Sequence, residues 1–266
     1  MKITVLGGSG FIGSHVADAL SKRGHKVRIF DKKKSIWLRN DQKMLIGDIF
    51  NYKALEKAIR GSEVVYNFAA LSDLDKAMIE PLTSARTNIL GTVQALNLCK
   101  KHKVKRFVHA SSIYANSSQG GFYSCSKRAA DDYVQEFNKL YKLDYNILRF
   151  GSVYGSRSDR SNGVRKIIDK AIWKRKIIYR GNVKAIREYI NVLDAAYASV
   201  KVLNKTYKNK CVILTGQKTL KIKEFLKFLG KTLNISSKII FRNEKNSKHY
   251  IKTPSPYQMK KGKKFK

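Results

Sequence analysis

The sequence contains few cysteines, few prolines and few acidic residues for its length. Its three cysteines are Cys99, Cys125 and Cys211 in a chain of 266 residues, far apart and without the spacing of metal ligands. We therefore expect neither a disulfide framework nor a metal site. No apolar run approaches the roughly 20 residues of a membrane span, and the chain begins directly with the strand-like segment 2–6. We therefore expect a cytoplasmic protein without a membrane span.

Acidic residues are outnumbered: 55 Lys and Arg face 19 Asp and Glu, a formal net charge of +36. A dedicated nucleic-acid binder usually gathers its basic residues in one module, whereas here they are spread along the chain. Lys, Ile, Asn and Tyr are frequent throughout, as an AT-rich genome predicts. We expect no specific nucleic-acid partner. Steering of an anionic substrate, weak affinity for nucleic acid or acidic lipid, and tolerance of high salt stay open as contributions.

Apolar strand-like runs alternate with helix-like stretches through the first 150 residues. The strands are expected at 3–6, 26–30, 44–46, 64–68, 106–110 and 146–150, and the helices at 14–23, 52–60, 84–101 and 127–141. Strands joined by helix-length connections predict a parallel sheet with helices on both faces. The predicted fold class is thus α/β, a Rossmann-type doubly wound parallel sheet with a small C-terminal substrate-binding lobe.

The pattern changes after Tyr154. A basic stretch, a helix-like segment 164–174 and a strand-like segment 176–179 precede a short apolar segment and a second helix-like stretch, 193–203. We predict an NAD-binding Rossmann domain over 1–150, which carries the catalytic residues. A partly interwoven lobe is predicted over 151–258, because no Pro-, Gly- or Ser-rich linker separates the two, and a fraying basic tail over 259–266.

A glycine-rich turn follows the first predicted strand and opens the first helix. Gly7 can take the tight turn, Gly10 allows the backbone to approach a pyrophosphate, and Gly13 permits close packing of helix on strand. The helix start, with Phe11 and Ile12, presents free N–H groups and the positive end of the helix dipole to an anion. These residues predict a dinucleotide site.

Asp31 ends the second strand, eighteen residues beyond Gly13. A carboxylate there can accept hydrogen bonds from both ribose hydroxyls of NAD and would repel the 2′-phosphate of NADP. The lysines at 32–34 could instead neutralise that phosphate, and a turn-forming role for Asp31 is the plain alternative. We expect NAD as the cofactor.

Two further strand ends complete the predicted cofactor site. Asp48 and Ile49 follow the third strand and are placed to meet the adenine edge, although Asp48 could equally cap the next helix. Ala69 and Ala70 follow the fourth strand, where small side chains let a flat cofactor lie against the backbone.

Tyr123 and Lys127 are four residues apart and on a helix would share one face. The ammonium favours the phenolate, so we expect it to lower the tyrosine's pKa toward the range for proton exchange with a sugar hydroxyl. Ser112, eleven residues earlier, follows a strand at the carboxyl edge of the sheet and could hydrogen-bond the same oxygen. An ordinary surface pair is the alternative for Tyr123 and Lys127 taken singly.

With these motifs the chain resembles an extended short-chain dehydrogenase/reductase of the NAD-dependent epimerase/dehydratase family, similar to UDP-glucose 4-epimerase-like enzymes. The resemblance also covers the segments 88–92, 107–112, 148–155 and 187–192. It implies that Ser112, Tyr123 and Lys127 are the catalytic triad and that Asn88 belongs to the cofactor site. It further implies a nucleotide-diphosphate sugar as substrate, a homodimer, and a substrate site with Ser152 and Arg187. Arg187 would grip the diphosphate, or alternatively form a structural salt bridge.

Departures from the family narrow the reaction. The family's 4,6-dehydratases carry Asp and Glu directly after the catalytic Ser or Thr, and its decarboxylases also use a glutamate there. Here Ile113 and Tyr114 occupy those positions and cannot do that work at neutral pH. We expect C4 epimerisation of a UDP-hexose through a 4-keto intermediate, with a 4-reductase or dehydratase as the alternative enzymes and a non-catalytic NAD-binding sensor or scaffold as the alternative of another class. Ser152 replaces the family's frequent asparagine and the C-terminal region is short, which leaves the sugar undefined.

Overall fold

The alternating pattern builds one large sheet of parallel strands, as predicted. The computed structural model describes residues 1–180, 182, 184–235, 238–242 and 262–264. The strands of this sheet within these ranges are β1 (Lys2–Leu6), β2 (Lys26–Asp31), β3 (Lys43–Ile46), β4 (Val64–Asn67), β5 (Arg106–Ser112), β6 (Asp144–Phe150), β10 (Lys210–Leu214) and β13 (Gly262–Lys264). They are ordered β13-β10-β6-β5-β4-β1-β2-β3, and each neighbouring pair is parallel.

Helices cover both faces of this sheet, because alternate strand residues point to opposite sides. On one face Ile3 and Val5 pack with α1 (Phe11–Lys22) and α8 (Val192–Lys201); on the other, Leu6 packs with α2 (Tyr52–Ile59), α5 (Gly91–Lys101) and α6 (Gly121–Tyr141). The two apolar clusters sandwich the sheet, and together they form the core.

The segment between β4 and α5 is less regular than the single helix predicted at 84–101. It contains the short helices α3 (Leu74–Ile79) and α4 (Pro81–Ala85), then a π-helical turn over Arg86–Leu90 that runs directly into α5. Pro81 occupies the first turn of α4, where its missing N–H is tolerated. Within the described ranges, no helix combines the length and the apolar character that crossing a bilayer requires.

The chain order of the strands reverses between β1 and β4, since β2 and β3 extend the sheet one way and β4, β5 and β6 the other. In open α/β sheets such a reversal leaves a crevice at the carboxyl ends of the strands, where ligands bind. The glycine turn after β1 and Ser112 at the end of β5 both lie at this edge.

A smaller lobe follows β6. It contains β7 (Ser152–Tyr154), α7 (Gly163–Lys174), β8 (Ile177–Arg180), β9 (Ile186–Asn191), β11 (Thr219–Lys221), α9 (Ile222–Thr232) and β12 (Ile239–Arg242). Strand β9 lies between β7 and β11, while β8 pairs with β12. Ala171, Ile177, Ile222 and Leu226 belong to a separate apolar cluster, so the lobe has its own small core.

The lobe is interleaved with the large sheet along the chain. Between β9 and β11 the chain returns to add α8 and β10 to the main sheet, where β10 pairs with β6. The predicted boundary between residues 150 and 151 marks where the lobe begins. Residues 192–214 lie beyond that boundary in the chain but pack with the first domain. Of the tail predicted at 259–266, only Gly262–Lys264 lies within the described residues, as β13 beside β10.

Candidate active site

A cavity of about 970 Å³ lies along the carboxyl ends of the sheet strands and is closed on the other side by the lobe. Its volume is at the upper end of the range typical of ligand sites. Nearly all the predicted site residues meet here: the cavity is lined by Gly7, Gly10, Phe11, Ile12, Gly13, Asp31, Asp48, Ile49, Ala69, Ala70, Ser112, Tyr123, Lys127, Ser152 and Arg187.

The glycine turn has the geometry that its spacing predicts. Gly7 has φ of +75°, in the left-handed region, and a Cβ there would lie 2.5 Å from the Ala69 nitrogen. A Cβ on Gly13 would lie 2.3 Å from the Gly7 carbonyl oxygen, so the helix packs against the turn more closely than any side chain allows. Gly10 caps α1 without a side-chain hydrogen bond, so the helix start faces the cavity with its backbone N–H groups.

Asp31, the last residue of β2, is hydrogen-bonded into the turns on either side of it. Its Oδ2 accepts from the Ser9 N–H at 3.0 Å and its Oδ1 from the Lys33 N–H at 3.0 Å. Both carboxylate oxygens keep further lone pairs for hydroxyl groups. The carboxylate thus orders the glycine turn and lines the cavity beside it.

Asp48 does not cap a helix, which was the alternative for this residue. Its Oδ1 accepts from the Phe50 N–H at 2.9 Å in a local turn, and α2 is capped by Asn51, whose side chain accepts from the Ala54 N–H. The Asp48 side chain therefore shapes the loop after β3 at the wall of the cavity.

Asn88 is the predicted residue that the structure does not bring into the cavity wall. Its Oδ1 accepts from the Leu71 N–H at 2.8 Å, and its Nδ2 donates to the Leu71 carbonyl at 3.1 Å and to Ser126 Oγ at 2.9 Å. The neighbouring Thr87 lines the cavity instead. Asn88 is buried and holds the loop after β4 against α6, so we expect it to act on the site through that loop.

Ser112, Tyr123 and Lys127 converge at one wall of the cavity. Ser112 ends β5, while Tyr123 and Lys127 lie on the first turns of α6, which begins after Gly120 in a left-handed conformation. The Ser112 hydroxyl is hydrogen-bonded to the Tyr123 phenol. Lys127 donates from Nζ to the Ala110 carbonyl oxygen at 2.6 Å. The three side chains are 7%, 8% and 3% exposed, so they act in a largely dehydrated environment.

Burial controls the protonation of these groups. It raises the pKa of Tyr123 to about 12, an effect that the Ser112 hydrogen bond opposes and the Asp131 charge reinforces. It lowers the pKa of Lys127 to about 8, against the influence of Asp131. The expected lowering of the Tyr123 pKa by Lys127 is therefore wrong, because burial of the phenol dominates the shift and Lys127 is not among its causes.

The two residues after Ser112 are an apolar and an aromatic side chain, and both are buried. Ile113 and Tyr114 are 1% and 8% exposed and form the start of a 3₁₀ turn over Ile113–Asn116. The Tyr114 ring packs edge-on against Tyr123 with centroids 6.2 Å apart. These two residues support the Tyr123 ring and supply no carboxylate beside it.

Ser152 and Arg187 come from the lobe strands and lie one strand apart. Ser152 in β7 pairs with Tyr189 in β9, the strand that also carries Arg187. The Arg187 guanidinium lines the cavity and donates from Nη1 to the Ile186 carbonyl at 3.0 Å. The β7–β9 pairing therefore sets the distance between the substrate residues implied by the family resemblance.

Helix α7 adds cationic groups that the sequence analysis did not single out. Lys166, Lys170 and Lys174 recur every four residues and so share the face of α7 that lines the cavity. Lys176 and Arg187 line the same part of the cavity, the half that the lobe forms, which we call the lobe half. The four-residue spacing was visible in the sequence, but only the packing of α7 shows that this face meets the cavity.

The segment after β7 is fastened to α1. The Ser156 carbonyl is hydrogen-bonded to His15 Nε2 at 3.0 Å, and Arg157 Nη2 forms an ion pair with Asp18 Oδ2 at 2.7 Å. Asp159, two residues further on, lines the cavity. This strap connects the lobe to the helix that begins at the glycine turn.

Comparison with known proteins places this site in a family. Residues 3–213 match the model of the NAD dependent epimerase/dehydratase family, and the chain therefore belongs to that family. A relative described as "Putative UDP-glucose 4-epimerase", from Methanocaldococcus jannaschii, is 28% identical over 272 residues, covering 93% of this chain and 88% of the relative. The dTDP-D-glucose 4,6-dehydratase of Dictyostelium discoideum is 27% identical over 241 residues, covering 77% of this chain and 56% of that protein.

Solved structures share the fold. The UDP-glucose 4-epimerase of Thermotoga maritima, crystallised with UDP-glucose, superposes with a TM-score of 0.86 at 24% identity, covering 95% of this chain and 89% of that one. The UDP-glucuronic acid 4-epimerase of Bacillus cereus, crystallised with UDP-glucuronic acid and NAD, gives a TM-score of 0.84 at 23% identity, covering 92% and 87%. The predicted family and the predicted doubly wound fold are confirmed.

Proposed function

We propose that this chain, an NAD-dependent enzyme by its family, is a nucleotide-sugar epimerase that inverts C4 of a UDP-hexose through a 4-keto intermediate. The observation that carries the proposal is the meeting of Ser112, Tyr123 and Lys127 at one cavity wall, with Ile113 and Tyr114 in place of an acidic pair. This set of groups suits proton exchange at one oxygen and provides no adjacent acid for dehydration.

The cofactor half of the cavity fits NAD. The backbone of the glycine turn is bare where a pyrophosphate would approach the start of α1, and Gly7 and Gly13 leave no room for side chains within the turn. Asp31 would accept hydrogen bonds from the ribose hydroxyls, and Lys127 would reach the nicotinamide ribose. When bound, NAD would accept the hydride from C4 and return it to the opposite face.

The cofactor assignment is tested by titration at physiological salt. NAD should bind more tightly than NADP, and Asp31→Ala should weaken NAD binding. Asp41→Ala is a suitable control, because Asp41 lies outside the cavity and pairs with Arg39. Equal or tighter binding of NADP would mean that the lysines at 32–34 govern the choice.

The chain's own residues would move one proton. Since the pKa of Tyr123 is about 12, the phenol would first release its own proton; its oxygen would then take the proton of the C4 hydroxyl as the keto sugar forms and give it back as the hydroxyl is restored. Ser112, hydrogen-bonded to that phenol, would hold the same oxygen, and the Lys127 ammonium would stabilise the phenolate. Arg187 would grip the diphosphate and leave the hexose free to turn between the two hydride transfers.

The decisive experiment is NMR of a UDP-hexose incubated with the protein in deuterated water and without added cofactor. C4 epimers should interconvert with no 4-keto-6-deoxy product. Deuterium at C5 with loss of the 6-hydroxyl would establish dehydration instead. Reduction of a 4-keto nucleotide sugar with consumption of added NADPH would establish a 4-reductase, and bound NAD without turnover of any nucleotide sugar would favour a sensor or scaffold.

We further propose a homodimer and a cytoplasmic location. The dimer rests on the family resemblance and is supported by exposed apolar side chains on neighbouring elements, Leu82 on α4, Leu90 on the π-helical turn and Phe122 on α6. Sedimentation of the wild type should give the mass of two chains, and Leu82→Lys combined with Phe122→Lys should shift it toward one.

The proposed cytoplasmic location is consistent with Cys99, Cys125 and Cys211 being unpaired.

A further inference from the structure

A buried acid lies one helical turn behind the catalytic lysine. Asp131 follows Lys127 by four residues on α6, so both side chains project from the same face of the helix. They are 1% and 3% exposed. A carboxylate with this degree of burial is uncommon unless it is paired, which indicates a specific partner.

That partner is Arg149 on β6. Its Nε and Nη2 donate to Asp131 Oδ2 at 3.0 and 2.9 Å, and its side chain is 11% exposed. Because arginine stays protonated, a neutral Asp131 would leave the guanidinium as an uncompensated charge in the protein interior. Burial raises the pKa of Asp131 and the Arg149 pair opposes that rise, so the pair favours the ionised carboxylate directly behind Lys127.

We propose that Asp131 is a positioning residue whose carboxylate, held ionised by Arg149, keeps Lys127 charged in its dehydrated site. The inference rests on the proposed function for the use of Lys127, although the electrostatic effect itself needs no ligand. The site offers Lys127 little water, so a negative charge one turn away is the compensation that its ammonium requires.

The surroundings of the pair fit this role. His109 Nε2 on β5 lies 3.8 Å from Asp131 Oδ1, and burial together with the Lys127 charge keeps the pKa of His109 well below its ordinary value. The histidine is therefore neutral and does not compete for the carboxylate. Among the described residues, Asp131 also raises the pKa values of Tyr123 on α6, Tyr145 on β6 and Cys211 on β10.

The direction of the effect follows from the sign of the charge. Asp131 raises the pKa of Lys127 against the lowering caused by burial, and it also raises the pKa of Tyr123. Asp131→Asn removes the negative charge, so both groups should release their protons at lower pH. With Arg149 partly neutralising the carboxylate, the expected change for Lys127 is about one pH unit.

The test is a titration by NMR of the protein labelled with ¹³C at lysine Cε, without substrate or cofactor. One signal should titrate near pH 8, well below the exposed lysines, and vanish in Lys127→Met. In Asp131→Asn this signal should titrate about one unit lower. Asp132→Asn is the matched control, since it makes the same change at the next, exposed position and should leave the signal unmoved.

A second variant covers the risk that Asp131→Asn leaves Arg149 unpaired and unfolds the chain. Asp131→Leu combined with Arg149→Met removes both charges, a replacement that buried ion pairs often tolerate. It should also lower the Lys127 midpoint, because it removes the Asp131 charge that raises the pKa of Lys127 against the effect of burial. An unchanged midpoint in a folded variant would overturn the proposal. Since no turnover is measured, a failure of the proposed epimerase activity would leave this result intact.

Discussion

The Tyr123 phenol is the group that the proposed reaction uses most directly. Tyr123→Phe deletes the oxygen and its hydrogen bond to Ser112 but keeps the ring against Tyr114. The variant should fold, retain NAD and lose turnover by roughly 10² to 10⁴, the usual contribution of a general acid or base. Rates of epimer interconversion followed by NMR, with NAD content measured on the same samples, check this.

Two companion variants sharpen that prediction. Ser112→Ala should reduce turnover less, because it removes a hydrogen bond and leaves the proton carrier. Tyr133→Phe makes the same deletion on the exposed side of the same helix, where the side chain is 46% exposed, and should match the wild type. Turnover within a factor of about three of wild type for Tyr123→Phe would remove the phenol from the mechanism.

Lys127 should leave a signature in the pH dependence of stability. Its pKa is about 8 in the folded chain, below the ordinary value of 10.5. Between those values the unfolded chain binds more protons, so the free energy of unfolding rises with pH as this disadvantage is relieved. From pH 8 to 10, the free energy of unfolding of the wild type should therefore rise by on the order of 2 kcal/mol relative to that of Lys127→Met.

Urea unfolding of both proteins at several pH values measures this difference. Lys53→Met, at an exposed position on α2, should follow the wild type across the same range. If the wild type and Lys127→Met responded identically to pH, Lys127 would have an ordinary pKa and the account of its burial would be wrong.

These residues also show what spacing in a sequence can predict. The four-residue interval placed Tyr123 and Lys127 on one helix face, and the position of Ser112 at a strand end placed it beside them. The tyrosine's pKa could not be predicted in this way, because its direction depends on how much water reaches the phenol. The same holds for Asn88, whose amide is committed to Leu71 and Ser126.

The contact between β1 and α1 depends on the absence of a side chain at Gly13. Gly13→Ala would place a methyl group 2.3 Å from the Gly7 carbonyl oxygen, so the helix must shift away from the turn. We expect NAD affinity to fall at least tenfold and the unfolding free energy to drop by about 1–3 kcal/mol. Isothermal titration with NAD and urea unfolding provide the two readouts.

Gly163→Ala is the matched control for that variant. Gly163 begins α7, and a Cβ there would meet nothing within 4 Å. Its NAD affinity and stability should stay close to those of the wild type. A Gly13→Ala protein that also bound NAD normally would show that the close packing of α1 is dispensable for the cofactor site.

Strands β1 to β6 of the main sheet lie where the apolar runs of the sequence predict them, because a buried parallel strand needs a short, continuous apolar run. Helix starts are less predictable. Helix α1 begins at Phe11 and α6 at Gly121, three and six residues before the predicted starts, through glycine and serine that favour helices weakly. There, backbone geometry and burial of the helix face outweigh intrinsic propensity. Strand β10 was not predicted at all, since its apolar run gives no sign that the chain returns to the first sheet.

The two halves of the cavity differ in charge. Carboxylates predominate in the cofactor half, where Asp31, Asp48, Asp73 and Asp75 lie with Lys32 and Lys127. Cations predominate in the lobe half, where Lys166, Lys170, Lys174, Lys176 and Arg187 lie with Asp159. Such a division attracts a polyanionic ligand to the lobe half and orients it. Part of the net charge of +36 therefore lies where it can attract an anionic ligand, although most of it is spread over the surface.

This division predicts how salt and charge removal affect substrate capture. Changing Lys166, Lys170 and Lys174 together to glutamine should raise KM for the UDP-hexose about tenfold at low ionic strength, leave kcat nearly unchanged, and flatten the rise of KM with salt.

The control changes Lys22, Lys53 and Lys57 to glutamine. These lysines are exposed and lie outside the cavity, and their replacement lowers the net charge by the same amount. Weak, nonspecific and salt-sensitive DNA binding should fall alike in both triple variants, because it responds to overall charge. If the control raised KM as much as the α7 variant, the bulk charge would steer the substrate and the lysine face of α7 would have no particular part in its capture.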